Sequence, residues 1–349
     1  MTRKKASDSL LRPLVIPVFL PHAGCPNQCV YCNQRAVTGA GGPGPDPGAL
    51  VLSEVTRYLE YSRPGRGPGV VSFFGGNFLG LPPKTLRLFL AQAQDLINLG
   101  KLRGIRFSTR PDTITPETLD LLQGHDVEAI ELGVQSMDDT VLSLSRRGHT
   151  SACTRQAVAL VKQRGFRLGL QMMTGLPGDS PEKSLETACQ IRDLGPAFVR
   201  VYPTVVLEGS PLAQTWRNGA FAPASLENTV SLCAAIHQIF SSARIPIARM
   251  GLAEPDKLLA SGAVLAGPLH PAFGHLVLSE VFFQKTQTLL KSLGPALPRH
   301  ITLSVSPKNI SRARGHKNQN LSKLRALFAI DDIRVTEDPE MGEEEIRVV

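Results

Sequence analysis

Apolar and polar residues alternate along this chain in blocks of changing period. Leu14–Leu20 (LVIPVFL) is a continuous apolar run rich in Val, Ile and Phe, which predicts a buried strand. Leu50–Tyr61 is amphipathic, and Val70–Phe74 is again strand-like. Helical periodicity runs from Pro83 to Leu99, opened by Pro82-Pro83 and closed by Gly100. The same reading gives a strand at Ile105–Ser108, a helix at Thr115–Leu122 and a strand at Val127–Val134. It continues with a helix at Ser151–Arg164, a strand at Arg167–Met173, a helix at Pro181–Leu194, a strand at Phe198–Tyr202 and a helix over about Ala224–Ser241. Between the first two elements, Ala40–Gly48 is Gly/Pro punctuation that regular structure does not tolerate.

Strands alternating with helices in this way predict an α/β fold with a parallel sheet and right-handed crossovers. Six such units fall short of the eight of a closed barrel, so the expectation is a partial, TIM-like (β/α)6 barrel with ligands at the carboxyl ends of its strands. Beyond Ile245 the alternation fades. Gly267-Pro268, His270-Pro271 and Pro295–Pro298 cut the chain into short pieces, with one helix predicted at Ser279–Leu293. The organisation expected is a flexible N-terminal tail over 1–12, a core domain over 13–245 and a small appended C-terminal region over 246–349.

Composition narrows the class. With 42% hydrophobic residues among 349, the chain has the apolar content of a packed protein. No apolar run approaches the length a membrane helix needs. The basic start Met1–Lys5 is followed by a short apolar stretch broken by Pro13 and Pro17, so no signal peptide is read and a cytoplasmic location is expected. The net charge of +8 conceals a polarised end. Arg299, Lys308, Arg312, Arg314, Lys317, Lys323 and Arg325 form a basic segment, 299–325, without a single acid, and an acidic tail, 331–345, follows it. Cations with interleaved Asn309, Asn318, Gln319 and Asn320 suit phosphate contacts to RNA, tRNA included. The segment lacks Trp, Tyr and Phe as stacking platforms. A solvated face, or one paired with the acidic tail, is the alternative.

Cysteine position carries the chemistry. Cys25, Cys29 and Cys32 form CxxxCxxC directly after the first predicted strand, while Cys153, Cys189 and Cys233 are scattered and read as buried core thiols. Three thiolates on one tight loop suit three corners of an iron–sulfur cubane, leaving the fourth iron open. A zinc site of Cys₃His type, with His22 as fourth ligand, is the alternative metal reading. A disulfide would leave one thiol over.

The loop, with Tyr31 before its last cysteine, is similar to that of the radical S-adenosylmethionine (AdoMet, SAM) superfamily. Further motifs share the resemblance: Gly75-Gly76-Asn77, Glu131-Leu-Gly-Val-Gln135-Ser136, Arg147-Gly148-His149-Thr150 and Gly175-Leu-Pro-Gly178. These resemble oxygen-independent coproporphyrinogen oxidases and the Elongator catalytic subunit. Pro17–His22, Phe73–Leu81 and Arg200–Gly209 look most like the Elongator branch. The resemblance implies a 4Fe–4S cluster on Cys25, Cys29 and Cys32. It also implies AdoMet contacts from Tyr31, the backbone of Gly75, Gly76 and Asn77, and the side chains of Glu131 and Gln135. A ferredoxin or flavodoxin would reduce the cluster, and AdoMet would be cleaved to a 5′-deoxyadenosyl radical that attacks the substrate. Phe19, Val30 and Phe74 would help to cover the cluster. The acetyltransferase domain of Elongator subunits has no counterpart in the resemblance, so acetyl-CoA is not expected. The substrate reading favours tRNA or another RNA. A small metabolite or tetrapyrrole is the alternative within the superfamily, and a non-catalytic metal-binding module the alternative outside it.

Other side chains keep two readings each. His149 suits either a substrate contact or a turn. The His270–Gly274 stretch with His275 suits either a surface loop or a substrate contact. Arg110, before Pro111-Asp112, suits either an anion site or a structural salt bridge, and Arg106 sits at the other end of the same strand. Arg200 and Tyr202 either line a barrel mouth or pack it.

Overall fold

A computed structural model describes residues 14–38, 47–60, 68–252, 255–294 and 297–349. The expected tail over 1–12 and most of the Ala40–Gly48 stretch lie outside them. The chain forms two compact units, Met1–Val134 with Leu142–Gln171, and Gln135–Val141 with Met172–Val349.

Strands of the first unit are β1 (Val15–Phe19), β2 (Gly69–Phe74), β3 (Leu102–Thr109), β4 (Val127–Gln135) and β5 (Leu168–Thr174), the last two running to its ends. Neighbours β1–β2, β2–β3 and β3–β4 pair in parallel, Val15 opposite Val70 and Phe107 opposite Ile130. Four of the six residues of β2 are Val or Phe, and the strand is buried nearly throughout, as a parallel strand covered on both faces must be. Helices return the chain between strands. Pro83–Asn98 starts with proline at its first position, where the missing N–H is no loss, and is followed by Gly100 at φ +70°. Ser151–Gln163 is capped by Thr150, whose hydroxyl accepts from the Cys153 N–H. A stack of phenylalanines forms the floor near the end of β2: Phe73 lies 4.5 Å from Phe78, and Phe78 lies 4.7 Å from Phe107.

The second unit holds β6 (Phe198–Pro203), β7 (Val206–Leu207), β8 (Ile247–Met250), β9 (Val264–Ala266), β10 (His300–Val305), β11 (Asp332–Glu337) and β12 (Ile346–Val348). The main sheet runs β1-β2-β3-β4-β5-β6-β8, so it has seven strands where six were expected. The added strand β8 reads Ile-Ala-Arg-Met, with only two large apolar residues and little burial, too weak a pattern to declare itself.

Residues 300–349 are folded as well. β10 pairs in parallel with β11 and antiparallel with β12. Leu303, Val305, Leu324, Ile333 and the long helix Phe273–Ser292 share one apolar core. That helix begins six residues before the predicted Ser279. The acidic stretch is thus a strand and a turn within a sheet, not a free tail: Asp332–Glu337 are β11 itself.

Candidate active site

The cysteine loop leaves β1 and is held by backbone bonds to the bend that follows β2. Leu20 N–H donates to Phe74 C=O, His22 N–H to Gly75 C=O and Asn77 N–H to Ala23 C=O. Contact is so close that side chains are excluded. A Cβ on Gly24 would sit 2.2 Å from the Asn77 carbonyl oxygen, and one on Gly76 would sit 2.5 Å from the carbonyl oxygens of Leu20 and Ala23. Gly24 and Gly76 therefore serve first to let the two loops pack backbone to backbone, whereas Gly75 supplies a left-handed φ of +86°.

Asn77 locks this arrangement and is fully buried. Its Nδ2 donates to Gly24 C=O at 2.8 Å. Its Oδ1 accepts from the Thr109 hydroxyl, the Thr113 hydroxyl and the Arg110 N–H. The side chain is a clamp between three strand ends, so any cofactor contact at Asn77 falls to its backbone.

Cys29 is buried, and Cys25 and Cys32 are half-buried. Burial pushes the Cys25 thiol up, and pushes Cys32 to about 11 with Cys29 adding to the rise. Burial also raises the Tyr31 phenol well above its ordinary value, with Arg147 opposing it and the Cys29 thiol beside its hydroxyl. The loop lines an open cleft of about 470 Å³ together with His22, Asn27, Gln28, Asn33 and Arg35. Val30 is buried under the loop, whereas Phe19 is 43% exposed and covers little.

His22 is a poor fourth zinc ligand. Its Nε2 already accepts the Gln34 N–H at 3.0 Å, and burial and Arg35 hold the ring below its ordinary pKa. Among the described residues no three His, Cys, Asp or Glu side chains converge as a single ion requires. A cubane, with its ligands on separate corners, does not demand that convergence.

Glu131 is fully buried in β4. One carboxylate oxygen accepts from Arg106 Nε, and the other accepts from Gln171 Nε2 at 3.0 Å, which also reaches Ser108 Oγ at 3.1 Å. Gln171 escaped the sequence reading because β5 looks uniformly apolar around it. Gln135 ends β4 at φ +69°, a left-handed conformation unusual for a non-glycine residue and often a mark of a functional turn. Arg110 takes the structural alternative: its Nε and Nη2 grip Asp112 at 2.9 and 2.8 Å.

Residues 145–147 are stitched onto the cysteine loop, a link no sequence motif announced. Val30 N–H donates to Ser145 C=O, Asn27 Nδ2 donates to Arg146 C=O, and Arg147 Nη1 lies 3.4 Å from Cys29 Sγ.

The family models place this geometry. One for the radical SAM superfamily matches residues 19–188, and one for the radical SAM C-terminal domain matches residues 196–282. The chain belongs to the radical SAM superfamily. A tRNA uridine(34) acetyltransferase of Dehalococcoides mccartyi is 26% identical over 252 residues, 63% of this chain and 55% of that protein. Protein YhcC of Escherichia coli is 31% identical over 140 residues, 39% of this chain and 45% of its own length. The chain therefore spans about half of each. Among solved structures, an N-terminally deleted Elp3 of the archaeon Methanocaldococcus infernus shares the fold, with a TM-score of 0.62 at 21% identity over 80% of this chain and 63% of that one.

Enzymes of the radical SAM superfamily use a 4Fe–4S cluster and AdoMet, and the residues present fit them. Three thiols project from one loop. Beside it, Arg147 Nε and Arg110 Nη1 are buried without a hydrogen-bond partner among the described residues, donors suited to an anion. Such donors are the chemistry that an anionic thiolate cluster or an AdoMet carboxylate requires.

His149 follows Arg147 in the radical SAM core and is buried, its Nδ1 facing Thr150 C=O at 3.3 Å. Burial, then the Arg147 charge, lowers its pKa from 6.5 to about 4. It stays neutral in the folded protein while the unfolded chain takes up a proton. Its contribution is complete above about pH 6.5 and is lost as pH falls toward 4, amounting to about 3 kcal/mol at most. Urea unfolding at pH 7 and pH 4.5 should show a steeper loss in the native protein than in His149→Asn; parallel losses would contradict this placement.

The remaining candidates resolve plainly. Of the scattered cysteines only Cys233 is fully buried, its thiol pushed up to about 12 by burial; Cys153 and Cys189 are half-buried on their helices. His270 Nδ1 accepts from Ala272 N–H in a turn, but His275 stands on the helix Phe273–Ser292, not in a loop. Arg200 Nη1 donates to the Tyr202 hydroxyl at 3.2 Å.

In the basic segment the cations divide. Arg299 pairs with Asp331 at 3.3 Å and Arg325 with Asp332 at 3.1 Å, as the acidic-partner alternative anticipates. Arg312 Nη1 donates to Asn309 Oδ1, and Lys323 lies 5.4 Å from the centre of the Phe283 ring. Lys308, Arg314 and Lys317 are exposed around the short helix Ile310–Arg314, with no ion pair among the described residues. Lys317 and Asn318 adopt left-handed backbone there.

Proposed function

We propose that this radical SAM enzyme modifies tRNA or a related RNA. The observation that carries the reading is the trio Lys308, Arg314 and Lys317, exposed cations that the fold leaves unspent next to others it has neutralised. The names of the matched relatives support it, one being a tRNA uridine(34) acetyltransferase. Acetyl transfer itself is no part of the proposal.

When cluster and AdoMet are bound, they supply one-electron chemistry that takes hydrogen from a substrate. The protein's own part is positioning. Asn77, with Gly24 packed on the Asn77 backbone and Gly76 on that of Leu20 and Ala23, fixes the cysteine loop, and Cys25, Cys29 and Cys32 present their sulfurs from it. The backbone of Gly75 and Gly76 would hold the methionine end of AdoMet, with Tyr31 contributing a further contact. Glu131, ion-paired with Arg106, would offer its carboxylate, and Gln135 would bind the nucleoside side from the end of β4. A ferredoxin- or flavodoxin-type protein of the cytoplasm would deliver the electron.

Binding of unmodified tRNA, measured from low to moderate salt, should weaken steeply because several phosphates displace counterions. Replacing Lys308, Arg314 and Lys317 together by Ala should lower the log–log salt slope by about 2 to 3. Arg299→Ala and Arg325→Ala should change it far less. An affinity indifferent to salt, or to the triple replacement, would remove RNA as the substrate.

A further inference from the structure

Among the described residues, no acid forms an ion pair with Arg147. Its side chain is almost completely buried, at 6% exposure. Nη2 donates to the Gly133 carbonyl, Nη1 lies against Cys29 Sγ at 3.4 Å, and Nε has no partner among the described residues. Asp112, whose charge acts on Arg147, is itself taken by Arg110 in a two-pronged ion pair. Arg110 in turn donates Nη2 to the Arg147 carbonyl. A buried guanidinium without a counter-charge is costly, so a fold that retains one is built to meet an anion.

The surroundings fix where that anion lies. Ser145, Arg146 and Arg147 each bond to the cysteine loop, through Val30, Asn27 and Cys29 respectively. Gly148 at φ +76° lets the chain turn away at once; a Cβ there would stand 3.1 Å from Arg110 Nη2. The Arg147-Gly148 pair is thus shaped to bring one guanidinium against one cysteine sulfur. A planar fork can hold the Gly133 carbonyl and the sulfur together, which a lysine ammonium cannot match in geometry.

We propose that Arg147 is the fixed counter-charge of the cluster, holding the Cys29 sulfur in place and favouring the reduced state. The proposal rests on the cluster being held by Cys25, Cys29 and Cys32. Three thiolates around a 4Fe–4S core of charge +2 give a net −1, and one electron from a low-potential donor protein makes it −2. A buried positive charge at hydrogen-bond distance from a ligand sulfur stabilises the second state more than the first, with little screening by salt. Arg147 is therefore a positioning residue for electron entry, and it acts through the cluster's potential.

The test compares wild type, Arg147→Lys, Arg147→Met and, as a surface control, Arg87→Met, each reconstituted anaerobically with iron and sulfide. Iron per chain, melting of the iron-free protein and a redox titration followed by visible absorbance are measured. Arg87→Met should match wild type. Arg147→Met should show reduction at least tenfold less favourable, a potential about 59 mV lower for one electron. Alternatively it should hold less than half the iron while its iron-free form melts as wild type does. Arg147→Lys should lie nearer to wild type than Arg147→Met. A fully loaded Arg147→Met cluster of unchanged potential overturns the proposal, and so does a lysine variant shifted as far as the methionine one. Should Arg147→Met fail to fold, Arg147→Lys decides: wild-type loading and potential support the role, and a full tenfold loss refutes it. A wild-type protein that takes up no cluster refutes the ligand assignment instead.

Discussion

Cys29→Ala leaves the protein unable to hold its cluster: after anaerobic reconstitution, iron per chain should fall below a tenth of the wild-type value. Visible cluster absorbance and AdoMet cleavage should vanish with it. The three thiols of the loop differ in burial, and Cys29 is the one enclosed by protein, with Val30 beside it and Arg147 against its sulfur. Removing it deletes one corner of the site and also strips Arg147 of its sulfur partner, so no neighbouring side chain can substitute. Cys25→Ala and Cys32→Ala should follow the same course with somewhat more residual iron, since both residues are less buried than Cys29. The control is Cys233→Ala. That thiol is fully buried and its pKa raised to about 12, the mark of an inert packing residue. Its loss should cost about 1 kcal/mol of stability and leave iron content untouched. Equal iron in Cys29→Ala and wild type would overturn the assignment of the loop.

Much of this was legible in the residues, and the reasons are physical. β1 and β2 are short, almost wholly apolar runs, the strongest local signal a buried parallel strand can give. The cysteine loop was legible because three ligands sit within eight residues, where spacing alone constrains chemistry. The C-terminal sheet was not, because β10 finds its parallel partner β11 about thirty residues later, and no local period reports a distant pairing. Charge misled in the same region. Counting cations makes Arg299 and Arg325 part of a basic stripe, yet each is neutralised by an acid of the stretch that looked like a tail.

The site shows the same limit at finer scale. Motif resemblance located Asn77 and Glu131, but it did not disclose which atoms the protein keeps for itself. Asn77 spends its amide on Gly24, Thr109, Thr113 and Arg110, and Glu131 spends its carboxylate on Arg106 and Gln171. Arg147 lies 118 residues from Cys29, and only the fold brings them together. The pattern that did foretell close contact was glycine.

Gly24→Ala should therefore be nearly as damaging to the cluster as loss of a cysteine, although it removes no ligand. Gly24 has φ +72°, and an added Cβ would meet the Asn77 carbonyl oxygen at 2.2 Å, with Gly80 C and Leu81 N at 2.8 Å. All three are backbone atoms, so no side chain can swing aside. Either the cysteine loop lifts off the bend after β2 or the Asn77 clamp breaks. Breaking the clamp would leave Oδ1 and Nδ2 of Asn77, at 0% exposure, short of partners. A lifted loop would carry Cys25, Cys29 and Cys32 away from Arg147 and Arg110. The expected cost is about 3 kcal/mol or more, the sum of left-handed strain and steric overlap. Gly100→Ala is the matched control. Its φ is +70°, almost the same, but nothing lies within 4 Å of the position a Cβ would take. It should cost about 1 kcal/mol, the conformational part alone, and leave iron loading intact. The difference between the two variants isolates the loop contact from the backbone conformation. Thermal melts of the iron-free proteins give the stability terms, and iron per chain gives the consequence for the site. Equal stability and equal iron in the two variants would mean that the glycine contact does not hold the cysteine loop.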